Sequence, residues 1–242
     1  MDLTQRQVDI LKAIIEEFTN SAKPVGSVTL EAKYRLGVSP ATLRNEMAAL
    51  EEKGYLAQPH TSAGRIPTPI AVKFYVRELM KERELSVAEE VAVKERVWDY
   101  RFDSDSLLRA ATRVLAERSK TLSVAATQEG RTYHSGYAHL LSFPEFYNIE
   151  ITRQVFQLLD QTQSLLDLFS RSSGAQPVRL LVGSSELGVV DFEPVGCIFA
   201  DFQVGNQKGS LGIIGPFRQA YDRNIPLVRY VTNLVNQIAQ DW

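Results

Sequence analysis

Cysteine is almost absent: Cys197 is the only one in 242 residues. An intramolecular disulfide framework and a cysteine-based zinc site are therefore excluded. Long apolar runs are absent too, and none approaches the length of a membrane span. The first residues, MDLTQRQ, lack the apolar core of an export signal, so the expected compartment is the cytoplasm, with no membrane partner. Charge of one sign is not in excess. The formal net charge is −2, which argues against a protein that coats nucleic acid by bulk charge but leaves room for a local basic face. No internal repeat or low-complexity segment is evident. What remains is an ordinary globular composition, 44% hydrophobic, long enough for one large domain or two ordinary ones.

The first helix is signalled by the capping-box spacing of Thr4 and Gln7, followed by Val8, Leu11, Ile15 and Phe18 at helical period. NSAKPVG (residues 20–26) breaks it, and a second helix is expected from about Ser27 to Leu36. Ser39 is an N-cap candidate, and Pro40 fits the first helical position, where no amide hydrogen is needed. The third helix is expected to run to Lys53, with Gly54 as its stop. Tyr55–Gln58 and Arg65–Pro67 read as two short strands around Gly64, and Thr68 and Pro69 open a fourth helix.

In the third helix, Leu43, Met47 and Leu50 share one face and belong in a core. The opposite face centres on Ala41, Asn45 and Ala48, flanked by Thr42 and Arg44. Two alanines beside a short amide make a thin surface that can enter a major groove. There Asn45 can pair with adenine, and Arg44 with guanine or a phosphate. Ser39 and Thr42 suit a phosphate oxygen or local positioning. The following hairpin is expected to carry His60, Thr61, Ser62 and Arg65 at its tip, with Arg65 free to reach phosphate or a narrow minor groove. Lys73 adds a candidate contact from the fourth helix. Between residues 23 and 77, eight basic residues (Lys23, Lys33, Arg35, Arg44, Lys53, Arg65, Lys73, Arg77) outnumber four acidic ones (Glu31, Glu46, Glu51, Glu52). The excess is a patch within an acidic chain. A bland alternative stands beside this: three-helix units with a hairpin also serve as protein-interaction modules, and Ser-Pro is often only a cap.

The second half reads differently. A charged helical run over 79–105 is expected to connect two domains. A helix is expected at about 107–122, turn sequence at 128–136, and one long helix at about 148–170. Strands are expected at 178–183, 195–204 and 209–215, the last two paired through GNQKG, and a final helix at about 223–241. His134 and His139 lack a third ligand nearby, so no metal is expected. Cys197 sits in the apolar run VGCIFA, as a core residue rather than a nucleophile. GSLGIIGP lacks the lysine-hydroxyl ending and the GxGxxG spacing of phosphate loops, so its glycines read as a strand bend or close packing. Asp191 and Glu193 have no partner for acid–base work. Phe199, Phe202 and Phe217 fit a core or a dimer surface equally. No catalytic residue and no cofactor are expected.

The segments PVGSVTL, LGVSPATLRNEMAALEEKGYLAQPHTSAGRIPT and FYVREL, with LLSFPEF, VRLLVGS and GSLGIIGPFRQAYDRNIPLVRYV further on, closely resemble the bacterial heat-inducible transcription repressor HrcA family. The resemblance implies an α+β fold with an N-terminal winged helix-turn-helix and a C-terminal GAF-like domain. It implies a homodimeric repressor on an inverted-repeat operator in double-stranded DNA upstream of chaperone genes. It also implies a GroEL-type chaperonin partner and relief of repression by heat. On this basis the chain divides into a winged-helix domain (1–78), a helical connector (79–105) and a reduced GAF-like regulatory and dimerisation domain (106–242). Family members carry an inserted dimerisation domain for which LSVAATQEGRTYHSGYAHLLSFPEF leaves no room, so the insert is expected to be absent here. PTPIAVKFY also replaces a more polar family segment. Two further readings stay open: a metabolite-responsive winged-helix regulator, and a scaffold that engages a chaperonin without binding DNA.

Overall fold

The computed structural model describes residues 3–171 and 176–240, which form two compact units, Met1–Lys81 and Glu82–Trp242. In the first, helix α1 (Gln5–Ser21) starts at Thr4, whose side chain closes a capping box with Gln7. Helix α2 (Ser27–Lys33) is shorter than expected, because Tyr34 turns to extended backbone; Tyr34 and Leu36 then pack on the core instead of prolonging the helix. Helix α3 (Pro40–Glu52) begins with Ser39 accepting from the Thr42 amide and Pro40 in its first turn. Strands β1 (Leu56–Ala57) and β2 (Ile66–Pro67) pair antiparallel. Helix α4 (Pro69–Phe74) follows the Thr68 cap and loosens into a π-helical stretch, Tyr75–Leu79. Ile10, Leu11, Ile14 and Ile15 of α1 meet Leu43, Met47 and Leu50 of α3 in one core.

The second unit starts with helix α5 (Val87–Trp98), capped by a Ser86–Glu89 box, and helix α6 (Ser104–Ser119). Most of the stretch expected as a connector therefore belongs to this unit: Val93 and Val97 of α5 are fully buried. Next come strands β3 (Leu122–Thr127) and β4 (Thr132–Ser135), short helix α7 (Tyr137–Leu140), a 3-10 turn (Pro144–Tyr147), and helices α8 (Ile149–Asp160) and α9 (Thr162–Ser170). Strand β5 (Arg179–Val182), short helix α10 (Ser184–Leu187), strands β6 (Val195–Val204) and β7 (Gln207–Pro216) and helix α11 (Tyr221–Gln240) complete the unit. The five strands form one antiparallel sheet in the order β4-β3-β7-β6-β5.

Helices α6 and α11 pack on the sheet. Leu122, Val124, Cys197, Phe199 and Ile214 look the other way, into a core with Val155, Leu158 and Leu165 from α8 and α9. Every residue of β3 is buried. With both faces covered, no apolar-polar alternation marks that strand, which is why residues 123–127 carried no assignment between the expected helix and the expected turn. Strand β4 replaces the second half of the expected turn, held at the edge by Tyr133, whose hydroxyl donates to Asp105 at 2.6 Å. The expected single helix at 148–170 is two: Gln161 leaves helical backbone, and its side-chain oxygen accepts from the Ser164 hydroxyl at 2.9 Å. The β6–β7 pairing has a tighter turn than expected, with Val204 directly opposite Gln207. The glycines of GSLGIIGP serve close approach: a Cβ at Gly212 would lie 2.2 Å from the Ile198 carbonyl oxygen, and one at Gly209 would lie 2.2 Å from that of Ala126. Phe199, Phe202 and Phe217 are all buried, which places them in the core. The expected end of the last helix, Asp241, lies outside the described residues.

Cys197 is fully buried, and burial pushes its thiol up to about 12. An aromatic disulfide reagent at neutral pH is expected to leave the native thiol untouched and to titrate it only after denaturation. Rapid labelling of the folded protein would contradict its position in β6.

Candidate nucleic-acid interface

The burial of Leu43, Met47 and Leu50 decides which face of α3 remains outside. Ala41, Arg44 and Asn45 are exposed, Thr42 and Ala48 are half-buried, and Ser39 is exposed at the helix mouth. Ser39 is occupied as a cap: its Oγ lies 3.2 Å from the Thr42 amide and 3.0 Å from the Thr42 hydroxyl. Its role here is to fix where α3 starts. One acidic residue of α3, Glu46, is turned aside. Glu46 meets Arg6 at 3.4 Å and Gln7 at 3.1 Å on α1, so its charge is directed away from the exposed stripe.

His60, Thr61 and Ser62 form the exposed tip of the hairpin, closed by the Ala63 amide donating to the His60 carbonyl at 2.9 Å. Arg65 is not at the tip. It stands at the base, where its backbone exchanges two 2.8 Å hydrogen bonds with Val25. Its side chain is largely buried, with Nε 2.8 Å from Glu51 of α3 but outside hydrogen-bond geometry. The expectation of an unobstructed arginine reaching outward is corrected accordingly. An arginine that closes the hairpin against α2 and α3 cannot also stand at its end. Lys73 is half-buried on α4 and already engaged in an interaction of its own.

Two residues hold this arrangement: Gln58, assigned no role from the sequence, and Gly64, read there only as the centre of the loop. The Gln58 side-chain amide donates to the carbonyls of Thr61 and Ala63, both at 3.0 Å, and so ties the loop across its own mouth. Gly64 is fixed by space, since a Cβ there would come within 2.4 Å of the Val25 carbonyl. The only sequence sign of the first was a glutamine at the mouth of a small-residue loop. The second was visible as a glycine but not as a contact. Together these features bring Arg44, Gln58, Thr61, Ser62 and Arg65 around one open groove of about 480 Å³. Beside Val28, Met47 and Ala63 its lining holds two arginines, Arg44 and Arg65, and three hydroxyls, of Ser27, Thr61 and Ser62, with no carboxylate among them, a set that can meet a phosphate-bearing ligand.

Elsewhere His134 and His139 remain separate. The His134 ring bonds the Tyr137 hydroxyl at 2.5 Å, and among the described residues no three His, Cys, Asp or Glu side chains gather where a metal could sit.

The family model for the HrcA protein C-terminal domain matches residues 71–225. The chain belongs to the HrcA family. A heat-inducible transcription repressor HrcA of Carboxydothermus hydrogenoformans is 26% identical, covering 98% of this chain and 98% of its own. That of Chloroflexus aggregans is 29% identical, covering 98% and 93%. The alignment with the first runs to 338 positions against the 242 residues here, so the HrcA relative carries a domain-sized amount of sequence without a counterpart in this chain. A crystal structure of a hypothetical protein at 2.2 Å shares the fold, with a TM-score of 0.75 at 19% identity over 99% of this chain and 98% of that one.

Replacing Gln58 by Met keeps its length and removes both donors. With about 1 kcal/mol of loop closure lost, amide exchange at residues 61–63 is expected to rise about fivefold while the melting temperature barely moves. Unchanged exchange would mean that Gln58 does not organise the tip.

Proposed function

We propose that this chain is a transcription repressor whose first unit is a winged helix-turn-helix. Helix α3 enters the major groove of double-stranded DNA, and the β1–β2 hairpin acts as the wing against the flanking backbone. Asn45 and Arg44 read base edges. Ser39 and Thr42 set the start of α3 against a phosphate. His60, Thr61 and Ser62 meet the backbone from the hairpin tip, Arg65 borders the groove while bracing the hairpin, and Lys73 contributes from α4. The observation that carries the reading is the shared groove: Arg44 of α3 and the hydroxyl-bearing Thr61 and Ser62 of the hairpin tip border one concavity, and Asn45 is exposed next to Arg44.

Two copies related by a two-fold axis would read an inverted repeat and occlude a promoter in the cytoplasm. The second unit is a reduced GAF-like regulatory and dimerisation domain without the family's inserted domain; the surplus of aligned positions in the relative supports this reading. From the family come the chaperone-gene operator, relief on heat stress and a GroEL-type chaperonin that keeps the repressor active. The relatives are named as transcription repressors and not as enzymes.

Fluorescence anisotropy with an inverted-repeat operator and a scrambled duplex, at two salt concentrations, tests the proposal. The operator is expected to bind more tightly, both duplexes more weakly as salt rises. Arg44→Ala is expected to cost about 1–3 kcal/mol on the operator. Equal binding by the variant would remove Arg44 from base reading, and no binding of either duplex by the unmodified chain would overturn the DNA-binding function itself.

A further inference from the structure

Helix α5 is anchored on one side only. Val93 and Val97 are fully buried, Arg96 pairs with Glu117 of α6, and the Tyr230 hydroxyl of α11 donates to the Glu90 carbonyl at 3.1 Å. Another side is apolar and open. Val87 is 77% exposed, Val91 48% and Trp98 38%, and Phe102 just beyond the helix is 80% exposed. Val87, Val91, Lys94 and Trp98 follow one another at intervals of four, three and four. At 100° per residue they fall within about 60° of one another. This is the spacing by which one helix seats against a partner helix, and no other described part of the second unit covers it. Lys94 does not interrupt the stripe: its ammonium lies 5.1 Å from the Trp98 ring centroid, so its stem runs along the apolar surface.

We propose that this stripe is the face through which two copies of the chain pair, with their α5 helices antiparallel about a two-fold axis between Val91 and Lys94. The charges choose both partner and direction. Parallel pairing would set Lys94 against its own copy. Antiparallel pairing sets each Lys94 against Val91 of the second copy with that copy's Glu90 beside it, and sets Trp98 against Val87. The surface thus complements itself, as a two-fold interface must. A helix of 12 residues spans about 18 Å, which puts the contact at the small end of specific interfaces. The pairing is therefore weak and concentration-dependent. The inference rests on the proposed repressor function only for the expectation that copies pair at all.

Sedimentation of the full chain over a wide concentration range, without DNA, is expected to show a reversible monomer–dimer equilibrium. Val91→Asp, at an exposed position, should raise the dissociation constant about tenfold or more. Lys94→Glu should weaken pairing, and Lys94→Glu with Glu90→Lys should restore it. Because Cys197 is buried, a mixture of Val91→Cys and Lys94→Cys chains should give a disulfide-linked pair under mild oxidation that neither variant gives alone. A chain that stays monomeric throughout, a dimer indifferent to Val91→Asp, or a linked pair from Val91→Cys alone would each overturn the assignment. If the unmodified chain pairs in this way but binds no DNA, the repressor function fails and the seam stands. If the chain stays monomeric yet still selects the operator, the seam fails and the repressor function stands.

Discussion

Two hydrogen bonds between Val25 and Arg65, both 2.8 Å, hold the first unit's working surface together. They join the segment entering α2 to the base of the hairpin, some forty positions later in the chain. Gly64 permits the approach because nothing larger fits beside the Val25 carbonyl. With the base fixed, Arg65 lies over Glu51 and so locates the hairpin relative to α3 as well. Gln58 then stiffens the tip. A two-residue antiparallel pair such as β1–β2 has little stability of its own. Its geometry comes from these tethers, and the groove beside Arg44 exists because of them.

The second unit solves a different problem. Its sheet is covered on both sides, so neighbouring strands approach closely where glycine stands at 209 and 212, and large side chains such as Phe199 fill the space. Once α6 and α11 occupy one face, α5 has only its Val93–Val97 side to bury. The Val87–Val91–Trp98 side is left over. An exposed apolar stripe on an otherwise charged helix opposes solubility unless something covers it, and the alternation of Glu90, Lys94 and Arg101 along it limits what can.

Much of the first unit was legible because its signals are local. The capping box at Thr4, the Ser39-Pro40 start and the Leu43–Met47–Leu50 face each act within a few residues and survive folding unchanged. The long-range features were not legible. Arg65 looks free in a row of small residues, and only the fold brings Val25 and Glu51 to it. In the second unit the exposed edge of the pattern misled: β3 is built of small residues buried on both faces, so Ser123, Ala125 and Ala126 carry no period to read. The break at Gln161 was hidden for the converse reason, because Val155, Leu158, Leu165 and Phe169 keep one apolar face across it. The β6–β7 hairpin was readable since two long apolar runs flanked glycine-bearing turn sequence. The left-over face of α5 was not, because charged residues on both sides of it gave the whole run the look of a solvated connector.

A small seam and a thin reading helix are individually weak contacts, and on the proposed function that weakness has a use. A dilute chain is mainly monomeric, and one α3 on one half-site binds poorly where salt screens its few phosphate contacts. When two copies occupy adjacent half-sites, the second contact forms at an effective concentration set by the DNA rather than by the solution. Operator occupancy then varies with nearly the square of the concentration of competent protein. A modest fall in properly folded copies releases the site steeply, without any ligand pocket or covalent switch. Such a response suits a repressor whose supply of active protein depends on other factors, and it requires the pairing face to stay weak. An added dimerisation domain that held the pair permanently would flatten the dependence to first order.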